Sequence, residues 1–266
     1  MVLDSPSGRE DSTEHFTTTN ISTWQCRVLP HFSSDGKYLA TGSNWHAQIS
    51  DVATQEKVCI LKHGLENQLG DNYVRGVRFS PDGQYLATAS EDKTINDIAS
   101  KRIRATYVAH QSEVALDYSA DGCILASASR DATVCIWNCD SAESKVFRDP
   151  DNSDAQSGYT CVAISPNGSW VSARSLDGTV RKWDIMNGQL VLSLCGHQDS
   201  VYNLTYQDNG NALVSASLDK TLKRWDISWL NTASTVVPSL PGSIPCVKTL
   251  TGHDYVLSSA KSKDDR

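Results

Sequence analysis

The chain has 266 residues, with 24 lysines and arginines against 31 aspartates and glutamates, and a formal net charge of −7 that disfavours direct contact with nucleic-acid phosphates. Hydrophobic residues make up 39%, enough for a sizeable core, and no apolar run approaches the roughly 18 residues of a membrane helix. The opening MVLDSPSGRED lacks the apolar region of a secretory signal, so the eight dispersed cysteines are expected to be reduced thiols of a soluble intracellular protein. Residues 1–20, rich in Ser, Thr, Asp and Glu, are expected to be disordered.

From residue 21 to residue 257 one pattern recurs. SDGKYLATGS begins at Ser34, PDGQYLATAS at Pro81, ADGCILASAS at Ala120, PNGSWVSARS at Pro166 and DNGNALVSAS at Asp208. The turn glycines Gly36, Gly83, Gly122, Gly168 and Gly210 are spaced by 47, 39, 46 and 42 residues. That period suits a four-stranded propeller blade and exceeds ankyrin and tetratricopeptide units. Segments such as YVRGVRFS, YTCVAIS and VYNLTYQ alternate and are rich in β-branched and aromatic residues, so each unit opens on a strand. The Asp-Gly or Asn-Gly pair then marks a hairpin. A second turn, SRDAT, SLDGT or SLDKT, leads into VCIWN, VRKWD or LKRWD. Residues 140–158 read as a long exposed connection, and residues 228–245, with three prolines, as an inserted loop.

SASRDATVCIWN, ARSLDGTVRKWD and SASLDKTLKRWD, with the pairs Gly196–His197 and Gly252–His253, resemble WD repeats over residues 31–257. The resemblance implies a buried hydrogen-bonded set in each blade. Its members are His197, Ser215, Asp219 and Trp225 in the fifth repeat, and His110, Ser127, Asp131 and Trp137 in the third. Buried polar groups must pair, so these residues are read as structural and not as a Ser-His-Asp nucleophilic set. The expected fold class is all-β, an incomplete WD-repeat β-propeller of about five blades plus a fragment. Gly252–His253 opens a further repeat, and residues 258–266 form a truncated tail.

Internal comparison exposes defects. Asp92 to Asp97 spans 5 residues where Asp131 to Asn138 spans 7, so the second repeat is read as lacking two residues of a strand, the Trp position included. Ser50 stands where the first repeat needs its Trp. His110 to Tyr118 is 8 residues and His197 to Tyr206 is 9, a one-residue loss that reverses side-chain facing unless a bulge absorbs it. Lys182 and Arg224 hold the place of Ile136, and both cations are expected to reach the rim along their aliphatic stems.

KYLATGSNWHAQISDV, YVRGVRFSPDGQYLATASEDKTI, SLDGTVRKWD and GHDYVLS occur in this order and resemble the C-terminal propeller of fungal Tup-type, Groucho-like transcriptional corepressors. That resemblance implies a nuclear, non-catalytic scaffold whose propeller rim docks DNA-bound repressors and chromatin proteins. Carried over by motif, the candidate partner-binding residues are Ser43, Tyr73, Glu91 and Tyr202. Ordinary loop packing is the other reading of each, since a minority of interface residues carry the binding energy. The family's helical self-assembly segment and last two blades have no counterpart here. A WD adaptor of another pathway, or a truncated copy without activity, stays open as an alternative. No catalytic residue, cofactor or metal site is expected: nucleotide and hydrolase motifs are missing. Cys135 and Cys139 offer only two of the four ligands that zinc needs.

Overall fold

The computed structural model describes residues 30–43, 46–62, 73–91, 94–99, 102–112, 114–141, 143–150, 158–232, 246–252 and 254. The expected disordered segment 1–20, the tail 258–266 and His253 lie outside them. The described chain forms five four-stranded antiparallel sheets, each a meander of consecutive strands. Blade 1 holds β1 (His31–Phe32), β2 (Tyr38–Gly42), β3 (His46–Asp51) and β4 (Lys57–Lys62). Blade 2 holds β5 (Val74–Phe79), β6 (Tyr85–Ser90), β7 (Thr94–Ala99) and β8 (Arg102–Val108). Blade 3 comprises β9 (Val114–Tyr118), β10 (Ile124–Ser129), β11 (Val134–Asn138) and β12 (Ser144–Phe147). Blade 4 comprises β13 (Tyr159–Ile164), β14 (Trp170–Ser175), β15 (Val180–Asp184) and β16 (Leu190–Leu194). Blade 5 comprises β17 (Val201–Gln207), β18 (Ala212–Ser217), β19 (Leu222–Asp226) and β20 (Cys246–Leu250). A short helix, α1 (Trp229–Thr232), follows β19.

The first hairpin of four blades closes on the same local chemistry. Ser33 Oγ donates to Asp35 Oδ1 at 2.6 Å and accepts from the Tyr38 N–H at 2.9 Å. Ser80 with Asp82, Ser119 with Asp121 and Ser165 with Asn167 repeat the first of these bonds. The glycine that follows sits at φ near +70°, where a Cβ is strained. Blade 5 has Gln207 in place of the serine and instead closes through a 3-10 turn at Asp208–Gly210.

Successive blades stack through their first strands, β1 on β5, β5 on β9, β9 on β13 and β13 on β17. Four apolar clusters fill the four junctions. Trp137 packs back onto blade 2, Trp183 onto blade 3 and Trp225 onto blade 4. The ring is not closed among the described residues. The leading face of blade 1 leaves Phe32 54% and Ile60 51% exposed.

Three expectations need correction. Strand β7 is not short: Ile98 lies opposite Leu86, the register place that Trp137 holds opposite Leu125. The loss falls on the next connection, because Ala99 pairs with Arg102 across two residues. The stretch 140–158 is not all exposed connection, since β12 lies in it and Phe147 is buried against the junction with blade 4. Third, Lys182 does not reach the rim. It is 0% exposed, its ammonium lies 4.9 Å from the Trp170 ring and 5.2 Å from the Tyr206 ring, and Nζ has no hydrogen-bond partner among the described residues. Blade 5 covers that face completely, and burial alone lowers the Lys182 amine to about 7. Arg224 does reach the edge, where it pairs with Asp208.

The one-residue loss in blade 3 has a simple outcome. In blade 2 the pairing steps from Val74↔Ser90 to Gly76↔Ala89, which leaves Arg75 as a bulge. Thr160 and Tyr202 occupy the same place in blades 4 and 5. Blade 3 runs without a step, Val114↔Ser129 and then Ala115↔Ala128. The missing residue is therefore the bulge itself, and every later side chain of β9 keeps its face.

Candidate functional site

In each meander the start of the first strand, the end of the second and the start of the third share one rim. Neighbouring blades meet along it. The Val74 N–H donates to the Ser43 carbonyl at 3.0 Å, and Ser200 Oγ donates to the Leu176 carbonyl at 3.1 Å. All four candidate residues lie on this rim. Ser43 is exposed, and its Oγ bonds the His46 ring at 3.1 Å. Tyr73 is half-buried, and its carbonyl accepts from the Glu91 N–H at 3.0 Å while Glu91 Oε2 accepts from the Tyr73 N–H at 3.4 Å. Arg75 bridges the two: its Nε donates to Glu91 Oε1 at 2.7 Å and its guanidinium lies 4.9 Å from the Tyr73 ring. Ser43, Tyr73 and Glu91 thus form one cluster at the junction of blades 1 and 2. Tyr202 stands apart on blade 5, over Arg174, at 5.4 Å.

The aromatic and charged groups deeper in the blades are locked into structure. His197 Nε2 meets Ser215 Oγ at 2.7 Å, and the same Oγ accepts from Trp225 Nε1 at 2.9 Å. His197 Nδ1 meets Asp219 at 2.8 Å, and Asp219 also accepts from the Gln198 N–H at 3.0 Å, which ties the loop before β17 to the turn after β18. Blade 3 repeats the arrangement with His110 to Ser127 at 2.7 Å, Trp137 to Ser127 at 2.8 Å and His110 to Asp131 at 3.3 Å. Burial works against the ionisation of Asp219, but hydrogen bonds from Thr221, the Gln198 N–H and His197 outweigh it and hold the carboxyl at about 2. Burial likewise lowers the His197 imidazole, against the pull of Asp219. Ser127 and Ser215 are fully buried and already accept an indole N–H, so no substrate reaches either hydroxyl. Blades 3 and 5 therefore hold the His-Asp-Ser-Trp bracing that the resemblance to WD repeats implied. The family described as WD domain, G-beta repeat, matches residues 61–96, 101–138, 152–184 and 188–226, more than half of the chain.

The chain belongs to the WD-repeat family.

Among curated proteins, transcriptional repressor rco-1 of Neurospora crassa is 45% identical over 92 residues, 34% of this chain and 15% of that protein. General transcriptional corepressor tupA of Dictyostelium discoideum is 43% identical over 86 residues, 32% of this chain and 15% of that protein. Protein groucho of Drosophila melanogaster is 30% identical over 162 residues, 59% of this chain and 22% of that protein. The resemblance to Tup-type, Groucho-like corepressors read from the motifs therefore holds. The matched stretches span less than a quarter of each relative. Proteins with names of other kinds also match, over up to 214 residues at 26 to 28% identity.

Blade 4 departs from the WD bracing. Ala173 occupies the register place of Ser127 and Ser215, and the Trp183 indole N–H has no acceptor among the described residues. Tyr159 meets Trp183 edge-on at 5.5 Å instead, and Arg181 pairs with Asp149 and Asp177. Cys135 and Cys139 both lie in the core between blades 2 and 3, and burial pushes the Cys135 thiol up to about 12. Among the described residues no group of three or more His, Cys, Asp or Glu converges as metal ligands would.

Two arginines of the rim were not among the residues singled out from sequence. Arg75 escapes because a bulge is invisible to strict alternation. Arg174 carries a signal that internal comparison can find: the same place holds Gly42, Ala89, Ala128 and Ala216 in the other repeats.

Proposed function

We propose that this chain is a non-catalytic protein-interaction scaffold of the corepressor kind, which docks DNA-bound repressors on the rim bearing Ser43, Tyr73, Glu91 and Tyr202. The observation that carries this reading is the Tyr73–Arg75–Glu91 cluster. It sets an aromatic face and a guanidinium, residue types in which binding energy concentrates, beside a carboxylate at a blade junction. Similarity to the repressor rco-1 and the corepressor tupA supports the same choice of partner. The acidic balance suits a protein that meets DNA through its partners, and the place of action is the nucleus. Pulldown with repressor peptides tests the proposal. Tyr73→Ala and Glu91→Ala are each expected to weaken capture by at least tenfold, about 1.4 kcal/mol. Capture equal to the parent's would remove this face from consideration.

A second reading is a WD adaptor of another pathway, favoured by the longer matches to proteins with names of other kinds. Its signature would be capture of non-repressor partners through the same rim, with repressor peptides left in the flow-through.

A further inference from the structure

Arg174 is a buried cation without an anion among the described residues. It lies on β14, faces blade 5 and is 4% exposed. Nη2 donates to the Thr160 carbonyl at 3.2 Å, while Nε and Nη1 have no acceptor among the described residues. The Tyr202 ring lies at 5.4 Å, the Cys161 thiol lies against the guanidinium and favours its charge, and among the described residues no carboxylate reaches it. Burial works against its charge, yet a guanidinium does not give up its proton in a protein. A charge so placed is costly unless an anion compensates it.

Blade 2 shows what is missing. There a tyrosine ring stacks on an arginine, and Glu91 completes the set by accepting from Arg75. At the junction of blades 4 and 5 the tyrosine and the arginine recur without the carboxylate. Tyr202 is also the bulged residue of β17, flanked by the ladder pairs Val201↔Ser217 and Asn203↔Ala216. Its side chain can therefore turn aside without breaking a rung.

We infer that Arg174 anchors an acidic side chain of the docked partner, an Asp or Glu carboxylate that enters from the rim under Tyr202 and accepts from Nε. The inference rests on the docking reading above and names the chemistry that the rim selects. Nε lies on the Nη2 edge of the guanidinium, the edge that Glu91 takes on Arg75, whereas Nη1 points the other way, so a carboxylate at Nε repeats the blade 2 contact by a charge-assisted hydrogen bond. Tyr202 is the gate, and its ring holds the cation until the partner docks.

The test uses the full chain and a probe that needs no repressor. The Nε–Hε resonance of Arg174, assigned by its loss in Arg174→Ala, is followed during titration with N-acetyl-glutamate N-methylamide and with the glutamine analogue. The alanine variant restores the residue found in three of the other four repeats and is expected to fold; Arg174→Lys provides a second, charge-preserving check. The expected result is a saturable shift with the glutamate probe, at least tenfold weaker with the glutamine probe, and tighter binding in Tyr202→Ala. Equal response to both probes, or no response in a folded chain, overturns the inference. A silent Arg174 together with repressor capture that still depends on Tyr73 would discard the acidic pocket and leave the docking face standing. A clean Arg174 titration with no repressor capture would do the reverse.

Discussion

Ser215 accepts from Trp225 and meets His197 with a single hydroxyl. Its removal orphans two buried nitrogens at once, so Ser215→Ala is expected to destabilise the chain by about 1–3 kcal/mol. The converse holds in blade 4. Ala173→Ser offers the Trp183 indole N–H an acceptor and is expected to stabilise by about 1 kcal/mol. Urea unfolding of the two variants checks both signs. Lys182 makes a pH prediction. Its amine sits at about 7 in the folded chain against 10.5 ordinarily. Between those values the unfolded chain binds a proton that the folded chain has released, so its contribution to stability rises with pH through that window. Lys182→Met is expected to stabilise by roughly 1–4 kcal/mol at pH 7 and to flatten the rise. Melting temperatures at pH 6.5 and 9.5 decide it, and equal slopes for parent and variant would refute the assignment.

At the scale of elements, bulges decide what a missing residue does. Deleting Tyr202 is expected to convert β17 to the unbroken ladder of β9, with cooperative unfolding retained. Deleting Leu213 near the start of β18 reverses the inward and outward faces beyond it and is expected to abolish cooperative melting. Circular dichroism on the two deletions separates these outcomes. The same distinction explains what could be read from the chain. The Ser-x-Asp-Gly turns and the His-Asp-Ser-Trp sets are local or fixed in spacing, so repetition exposes them. Strand β12 carries neither signature; only its pairing with β11 and the burial of Phe147 define it. The rim cluster was half legible. Tyr73 and Glu91 stand out by motif, but Arg75, which joins them, depends on a bulge. The fate of Lys182 was not legible, because whether a charge reaches solvent is set by the blade that covers it.

For the molecule as a whole, stability comes from junctions between neighbours. Blades 2, 3 and 4 each pack on two described neighbours, and blades 1 and 5 on one. Amide exchange is expected to be slowest in β10 and β14 and faster in β2 and β18, as in stacked repeat arrays. Uniform protection across all five sheets would show that the end blades are covered as well as the middle ones.

Each wedge is also drawn from one uninterrupted stretch of chain, with no strand borrowed from elsewhere among the described residues. Synthesis can therefore complete one wedge before the next leaves the ribosome, and each then serves as a template for its successor. The arrangement contains damage as well. The residue missing from β9 and the shortened β7–β8 link remain inside their own sheets, and neither error propagates around the fan.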